Sequence, residues 1–299
     1  MIFDLTPVIV ALAKPFLRYR LIYCCHSTYE NTDTDSSLVR KALYVVFRQT
    51  AGRIIKTASD HIIAVAENER VMASQELSVP LHQIEIVRLG VNVESYRTNT
   101  SSRSIERQRL GIHQDEIVLV HVGGLEPSKS LHNLLEAAER NIAKYTTLMV
   151  ILVGGGEPSY INSLEETAKR LGIEDRIRII GQFVTKEEVR QYLAAADVGI
   201  WPGMFSIATL EALASGIPII VRDKDDYSKA LTSNNNGYMI PSRDIESLAR
   251  CIADLASDPQ LRLEMGSRSR ELAMAEFNWA SISSKLVDHY YKSTPKLTT

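Results

Sequence analysis

A chain of 299 residues with 45% hydrophobic and 23% charged side chains is long enough for two cores and too apolar to stay unfolded. Its 34 Lys and Arg stand against 36 Asp and Glu, and the formal net charge of −2 excludes a globally basic surface and gives no electrostatic reason to expect a nucleic-acid partner. The three cysteines, Cys24, Cys25 and Cys251, make no CxxC pair, which fits a reduced, cytosolic interior better than a disulfide scaffold.

In chain order, the apolar run Val8–Ala13 follows Asp4 and precedes Lys14, Arg18 and Arg20. That is the reverse of the charge order of a secretory leader. The run is too short to span a bilayer, and peripheral contact with a membrane face stays open. Helix Pro7–Phe16 leads to strand Arg20–Cys25, in which Cys24 and Cys25 must point to opposite faces. The polar stretch Asp33-Thr34-Asp35 reads as a loop and helix cap rather than a metal-binding DxD motif, because strand signals do not surround it. A long helix Ser37–Ile54, strand His61–Val65, helix Asn68–Ser78 and strand Ile84–Arg88 follow. Residues Asn92–Arg109 form a polar connector without a clear period, and a domain boundary is placed within Val93–Ser102.

Beyond it, short β-branched runs alternate with amphipathic stretches: strand Ile117–Val122, helix Leu131–Ala143, strand Thr147–Val153, helix Ser159–Leu171 and strand Arg176–Ile180. Helix Lys186–Ala196, strand Val198–Trp201, helix Phe205–Ser215, strand Ile217–Val221, helix Tyr227–Thr232 and strand Gly237–Ile240 complete the series. The strands are continuous apolar runs rather than alternating ones, which predicts a parallel sheet covered on both faces in a doubly wound α/β domain. Asp223–Asp226 reads as a solvated loop, and Ser293–Thr299 as a disordered tail.

Two segments have the composition of an anion site. Gly123-Gly124-Leu125-Glu126-Pro127-Ser128-Lys129 joins a strand to a helix; its glycines admit a ligand close to the backbone, and Lys129 brings a full positive charge suited to a diphosphate. In Ser206-Ile207-Ala208-Thr209-Leu210-Glu211, Ser206 is an N-cap candidate. The amides of Ile207 and Ala208 would then be free for phosphate oxygens, and Glu211 could accept from ribose hydroxyls. Taken singly, the first also reads as an ordinary turn with a solvated lysine and the second as a glutamate meeting a helix dipole. Together they lie at the carboxyl ends of strands of one sheet, where such folds bind ligands.

The segments VHVGGLEPSKSL (120–131), LVGGGE (152–157), IIGQF (179–183), AADVGIWP (195–202), FSIATLEALASGIP (205–218) and NGYMIP (236–241) resemble glycosyltransferase family 4. Upstream, SDHIIAVAE (59–67) and IEIVRLGVNV (84–93) look like the end of that family's acceptor domain. The resemblance implies two Rossmann-like α/β domains (the GT-B fold), the first incomplete: 1–98 a partial acceptor-side domain, 99–276 the donor domain, and 277–299 a crossover helix and tail. The chain opens at what corresponds to the family's fourth strand, Ile2–Leu5, so about 75 residues of βα units are expected to be missing.

The resemblance also implies roles. Lys129 would hold the donor diphosphate beside Gly123, Gly124 and Ser206, with the amides of Ile207 and Ala208 assisting. Glu211 would bind the ribose, the loop Gly181, Gln182 and Phe183 would flank the base, and His26 would face the sugar as the catalytic histidine. No metal and no cofactor is expected beyond a nucleotide diphosphate sugar as donor substrate. A hexosyl unit would pass with retention to a saccharide or lipid-linked acceptor in polysaccharide or glycolipid assembly, in the cytoplasm or at the inner face of the membrane. The alternative is a catalytically weak or inactive nucleotide-sugar-binding module that needs a missing N-terminal part or a partner chain. Two positions depart from the family: Gly124 stands where an arginine is usual, and Gly203 where a glutamate is usual.

Overall fold

The computed structural model describes residues 6–26, 49–97, 100–224 and 226–292. The expected strand Ile2–Leu5, the Asp33–Asp35 loop, the tail Ser293–Thr299 and most of the helix expected over Ser37–Ile54 lie outside them. The chain divides into two compact units, Met1–Leu89 with Ala280–Thr299, and Gly90–Trp279.

In the first unit, α1 (Thr6–Leu17), β1 (Ile22–Cys25), α2 (residues 49–58), β2 (His61–Ala64), α3 (Glu67–Leu77) and β3 (Ile84–Ile86) succeed one another. The strands pair in parallel in the order β1-β2-β3. Cys24 is exposed and Cys25 buried, as strand alternation requires. Ile62 and Ala64 pack with Cys25, Ile84, Ile55, Ala73 and Leu77, while Ile63, on the other face, packs with Val87, Ile282 and Leu286. The last two belong to α12 (Trp279–Lys292), which closes the chain against this unit. Near the end of α1 the Lys14 ammonium donates to Asp60 Oδ2 and to the Ala58 carbonyl, each at 2.6 Å.

The second unit begins at Gly90, earlier than the expected 98/99 boundary. The reason is local pairing: the Val91 amide donates to the Phe277 carbonyl (2.8 Å) and the Trp279 amide to Val91 O (3.2 Å). A 3₁₀ turn, Val93–Tyr96, and α4 (Thr100–Arg109) follow, so the connector expected to be irregular contains a helix.

Then come β4 (Ile117–Val122), α5 (Leu131–Ile142), β5 (Leu148–Val153), α6 (Pro158–Leu171), β6 (Ile177–Ile180), α7 (Lys186–Ala195) and β7 (Val198–Trp201). The series continues with α8 (Ala208–Ser215), β8 (Ile219–Arg222), α9 (Asp226–Leu231), β9 (Gly237–Ile240), α10 (Ile245–Ser257) and α11 (Pro259–Glu276). Asp226 thus opens a helix instead of staying in the expected loop. Helices α10 and α11 went unassigned in the sequence, although both carry aspartate caps: Asp244 accepts from the Ser247 amide and Asp258 from the Leu261 amide, each at 2.9 Å.

All six strands run parallel in the order β6-β5-β4-β7-β8-β9. Strand order reverses between β4 and β7, the point where doubly wound sheets open a crevice. Every residue of β5 is buried, and Leu119, Leu134, Leu135, Leu152, Leu164, Ile200 and Ile252 form the core beneath that end. Burial of each such side chain contributes roughly 1.5–3 kcal/mol. At the opposite end Arg107, 1% exposed, ties α4 down. Its guanidinium donates to Asp197 Oδ2 (2.6 Å) and to the carbonyls of Ala195, His113 and Glu116, while the Val118 amide donates to the same Asp197 oxygen at 2.8 Å.

Candidate functional site

The residues after β4 and after β7 meet at the reversal point. Pro127–Lys129 form a 3₁₀ turn that aims the Lys129 side chain at the segment before α8. Its ammonium donates to the carbonyl of Phe205 at 3.0 Å and lies 3.4 Å from that of Met204. Lys129 is only 8% exposed. Burial draws its pKa below the ordinary lysine value and the Arg222 and Lys224 charges lower it further; Glu126, whose carboxylate is 3.7 Å from the ammonium, opposes them. A cation held in low dielectric beside backbone carbonyls is poised to exchange them for an anion.

Gly203 explains why Lys129 can come so close. A Cβ there would lie 2.3 Å from the Ser128 carbonyl oxygen and 2.5 Å from Lys129 Cα, so only glycine lets the two loops touch. The Met204 amide donates to Ser128 O at 2.9 Å and locks the contact. The position at which the resemblance leads one to expect a glutamate is therefore occupied by a backbone-to-backbone seam.

That seam also corrects the start of α8. Helix was expected from Phe205, but the carbonyls of Met204 and Phe205 turn toward Lys129 and the first helical residue is Ala208, with Ile207 in the cap position. Ser206 is thus not the cap. Its hydroxyl accepts from the Ala208 amide at 3.4 Å and its carbonyl from the Thr209 amide at 2.9 Å. Of the two amides expected to be free, that of Ile207 has no partner among the described residues, and that of Ala208 is weakly engaged. Ser206 Oγ lies 3.0 Å from where a Cβ on Gly123 would stand, so Gly123, Ser206 and Lys129 converge at one spot.

Glu211 sits in the first turn of α8, half-buried, and its Oε1 accepts from the Tyr96 hydroxyl at 2.6 Å. Gly124 is exposed and lines a cleft of about 310 Å3 with Glu126, Gly155, Glu157, Tyr160 and Phe183. The Phe183 ring is 94% exposed and lies against Gly155, offering an unoccupied aromatic face. Gly181 and Gln182 precede it on the exposed rim.

Beneath the floor, His121 is fully buried. Its Nδ1 pairs with the Ile200 carbonyl at 2.9 Å and its Nε2 meets no partner among the described residues. Burial brings its pKa down to about 4, and the Lys129 charge adds to the shift.

His26 belongs to the first unit. It is exposed just after β1, with Nε2 3.0 Å from Cys24 Sγ. Although Cys24 is exposed as a residue, partial desolvation of its sulfur, then the neighbouring Cys25, push the thiol up to about 11, so the sulfur stays protonated at neutral pH. Tyr96, Glu126 and His121 were not singled out in the sequence. Glu126 lies inside a quoted segment, while nothing local marks Tyr96, 115 residues from its partner.

A buried lysine and a helix start facing each other across the reversal point of a parallel sheet define a doubly wound α/β protein with a crevice at that point. The profile of glycosyl transferases group 1 matches residues 102–272, and the chain belongs to that family. The D-inositol 3-phosphate glycosyltransferase of Streptomyces avermitilis is 28% identical over 249 residues, covering 79% of this chain and 52% of that protein. The GDP-mannose-dependent alpha-(1-6)-phosphatidylinositol monomannoside mannosyltransferase of Mycobacterium tuberculosis H37Rv is 26% identical over 219 residues, covering 70% and 56%. The chain spans about half the length of the curated relatives it matches. Among solved structures, Anabaena HepE in complex with UDP aligns with a TM-score of 0.81 at 21% identity, over 96% of this chain and 76% of that one. The lipopolysaccharide glycosyltransferase WaaG aligns with a TM-score of 0.73 at 17% identity, over 94% and 80%. These likenesses show the GT-B fold, as expected from the sequence. Among the described residues no helix is long and apolar enough to cross a membrane.

Proposed function

We propose that this chain binds a nucleotide diphosphate sugar in its second unit and serves a retaining, metal-independent transfer of a hexosyl unit to a saccharide or lipid-linked acceptor. The observation that carries the reading is the Lys129 ammonium 3.0 Å from the Phe205 carbonyl, which brings the two phosphate-type segments to one point. In this reading the diphosphate displaces the carbonyls from Lys129 and takes the Ile207 amide, Glu211 receives a ribose hydroxyl, and the base lies against Phe183.

The bond between the anomeric carbon and the diphosphate oxygen breaks as the acceptor oxygen bonds to the same face of the sugar. The acceptor proton passes to a phosphate oxygen of the departing nucleoside diphosphate. Lys129 and the α8 amides stabilise the charge that builds on that leaving group. HepE, solved with UDP and with UDP-glucose, supports a donor of this chemical class. For His26 the support is the sequence resemblance.

A second reading is a donor-binding module that turns over only with a further polypeptide. Calorimetry of the chain with UDP, GDP and their sugars tests the common core, and absence of binding to every one of them would sink it. Turnover by the chain alone, with the anomeric configuration of the product read by NMR, separates the two readings. His26→Ala should lower transfer while leaving nucleotide affinity within about twofold, since a surface side chain removed from no buried contact costs little.

A further inference from the structure

Glu211 is not a freely rotating side chain. The Tyr96 hydroxyl donates to its Oε1 at 2.6 Å, the short distance of a charge-assisted hydrogen bond. Tyr96 ends the 3₁₀ turn Val93–Tyr96 and is 6% exposed. Burial, and then the hydrogen bond to Glu211 and its charge, raise the phenol pKa, so the group remains a donor across the physiological range. The turn itself is fastened at its amino end. Val91 pairs with Phe277 and Trp279, and the Glu94 carboxylate lies 3.6 Å from Arg270 of α11. The Arg190 charge, itself held by Glu187 at 3.0 Å from Nε, acts on Tyr96 and Glu211 together. Oε2 of Glu211 receives no hydrogen bond among the described residues.

We infer that Tyr96 is a positioning residue: it fixes the Glu211 carboxylate so that Oε2 and the second lone pair of Oε1 face a vicinal diol, and thereby sets the preference for ribose over deoxyribose. The inference rests on Glu211 being the ribose-binding residue of the proposed function. The physical argument is conformational. A glutamate with three rotatable bonds loses rotamer entropy when a ligand orders it, and a carboxylate already held by a phenol on a fastened turn has met that cost before the ligand arrives. Without the phenol, the Glu211 side chain would bond to either hydroxyl less selectively.

The test uses UDP and GDP with their 2′-deoxy and 3′-deoxy forms, titrated calorimetrically into the full chain and into Tyr96→Phe, Glu211→Ala and the double variant. Tyr96→Phe keeps the ring and removes only the hydroxyl, and its melting temperature reports folding. Expected is a loss of affinity for the ribose forms of about fivefold, as for one net hydrogen bond, with little change for at least one deoxy form, so the selectivity ratio falls toward one. In the Glu211→Ala background the same change should have no further effect on that ratio. If Glu211→Ala leaves the ratio intact, the ribose assignment of Glu211 fails and the inference fails with it. If Glu211→Ala removes the preference while Tyr96→Phe retains it, only the positioning role is overturned. A lowered melting temperature with unchanged selectivity would overturn it as well, since Tyr96 would then be structural.

Discussion

Lys129, at the end of the turn after β4, donates its ammonium proton to the carbonyl of Phe205 across 3.0 Å, 76 residues further along the chain. The carbonyls of Met204 and Phe205 satisfy a lysine that burial would otherwise leave costly. Lys129→Ala should weaken nucleoside diphosphate binding by about 1–3 kcal/mol. Lys129→Arg should not restore it, because a planar fork does not fit a seat built for a compact ammonium. Since burial lowers the Lys129 pKa, affinity should begin to fall at a less alkaline pH than for an ordinary lysine. Calorimetry across the alkaline range should show that limb in the natural chain and its loss in the alanine variant.

Gly203 should tolerate no side chain. A Cβ at 2.3 Å from Ser128 O overlaps backbone that has no flexible end to move aside. Gly203→Ala should therefore destabilise by about 1–3 kcal/mol, the range for overpacking, and should also displace Lys129 and weaken nucleotide binding. Thermal melting and calorimetry on one preparation check both. An unchanged melting temperature together with unchanged affinity would contradict the seam. Restoring the family's glutamate at this position should likewise harm binding.

Arg107 and Asp197 should behave as a buried unit. Arg107→Ala leaves Asp197 with the Arg103 guanidinium (2.7 Å) and the Val118 amide but strands the buried carbonyls of Ala195, His113 and Glu116, and buried acceptors left without a donor should cost about 1–3 kcal/mol. Denaturant titration should show this loss. The pair lies at the amino ends of β4 and β7, away from the crevice, so variants that still fold should keep their nucleotide affinity.

His121 should make the fold acid-sensitive. It is neutral when folded, with a pKa near 4 against the ordinary 6.5. Above pH 6.5 neither state binds the proton and its contribution is constant. As pH falls from 6.5 to 4 the unfolded chain takes up a proton that the folded chain refuses, so stability drops by about 3 kcal/mol over that window and levels off below it. His121→Gln should flatten the stability profile between those pH values, whatever it costs at neutrality. Equal slopes in both proteins would show that His121 is already charged when folded.

Much of the second unit was legible along the chain. Strands β4, β7 and β9 match the expected limits residue for residue, because each is a short apolar run bounded by polar, glycine or proline residues. Helix α4 was missed for the converse reason. Its sequence TSSRSIERQR shows no apolar stripe, and what it buries is the charged Arg107, matched by an aspartate 90 residues away. The two phosphate-type segments were likewise visible as strand–glycine–helix junctions.

What the order of residues determined by itself, then, is the alternation of strands and helices, the parallel sheet and the family, since these depend on periodicity and on short segments read in one place. The tertiary structure alone decided which groups confront one another: Lys129 with the carbonyls before α8, Gly203 with Ser128, and Tyr96 with Glu211. Each of these joins backbone or side chains some 75 to 115 residues apart. Hydrogen bonding and close packing act over a few ångströms, and only folding brings such distant positions within that range.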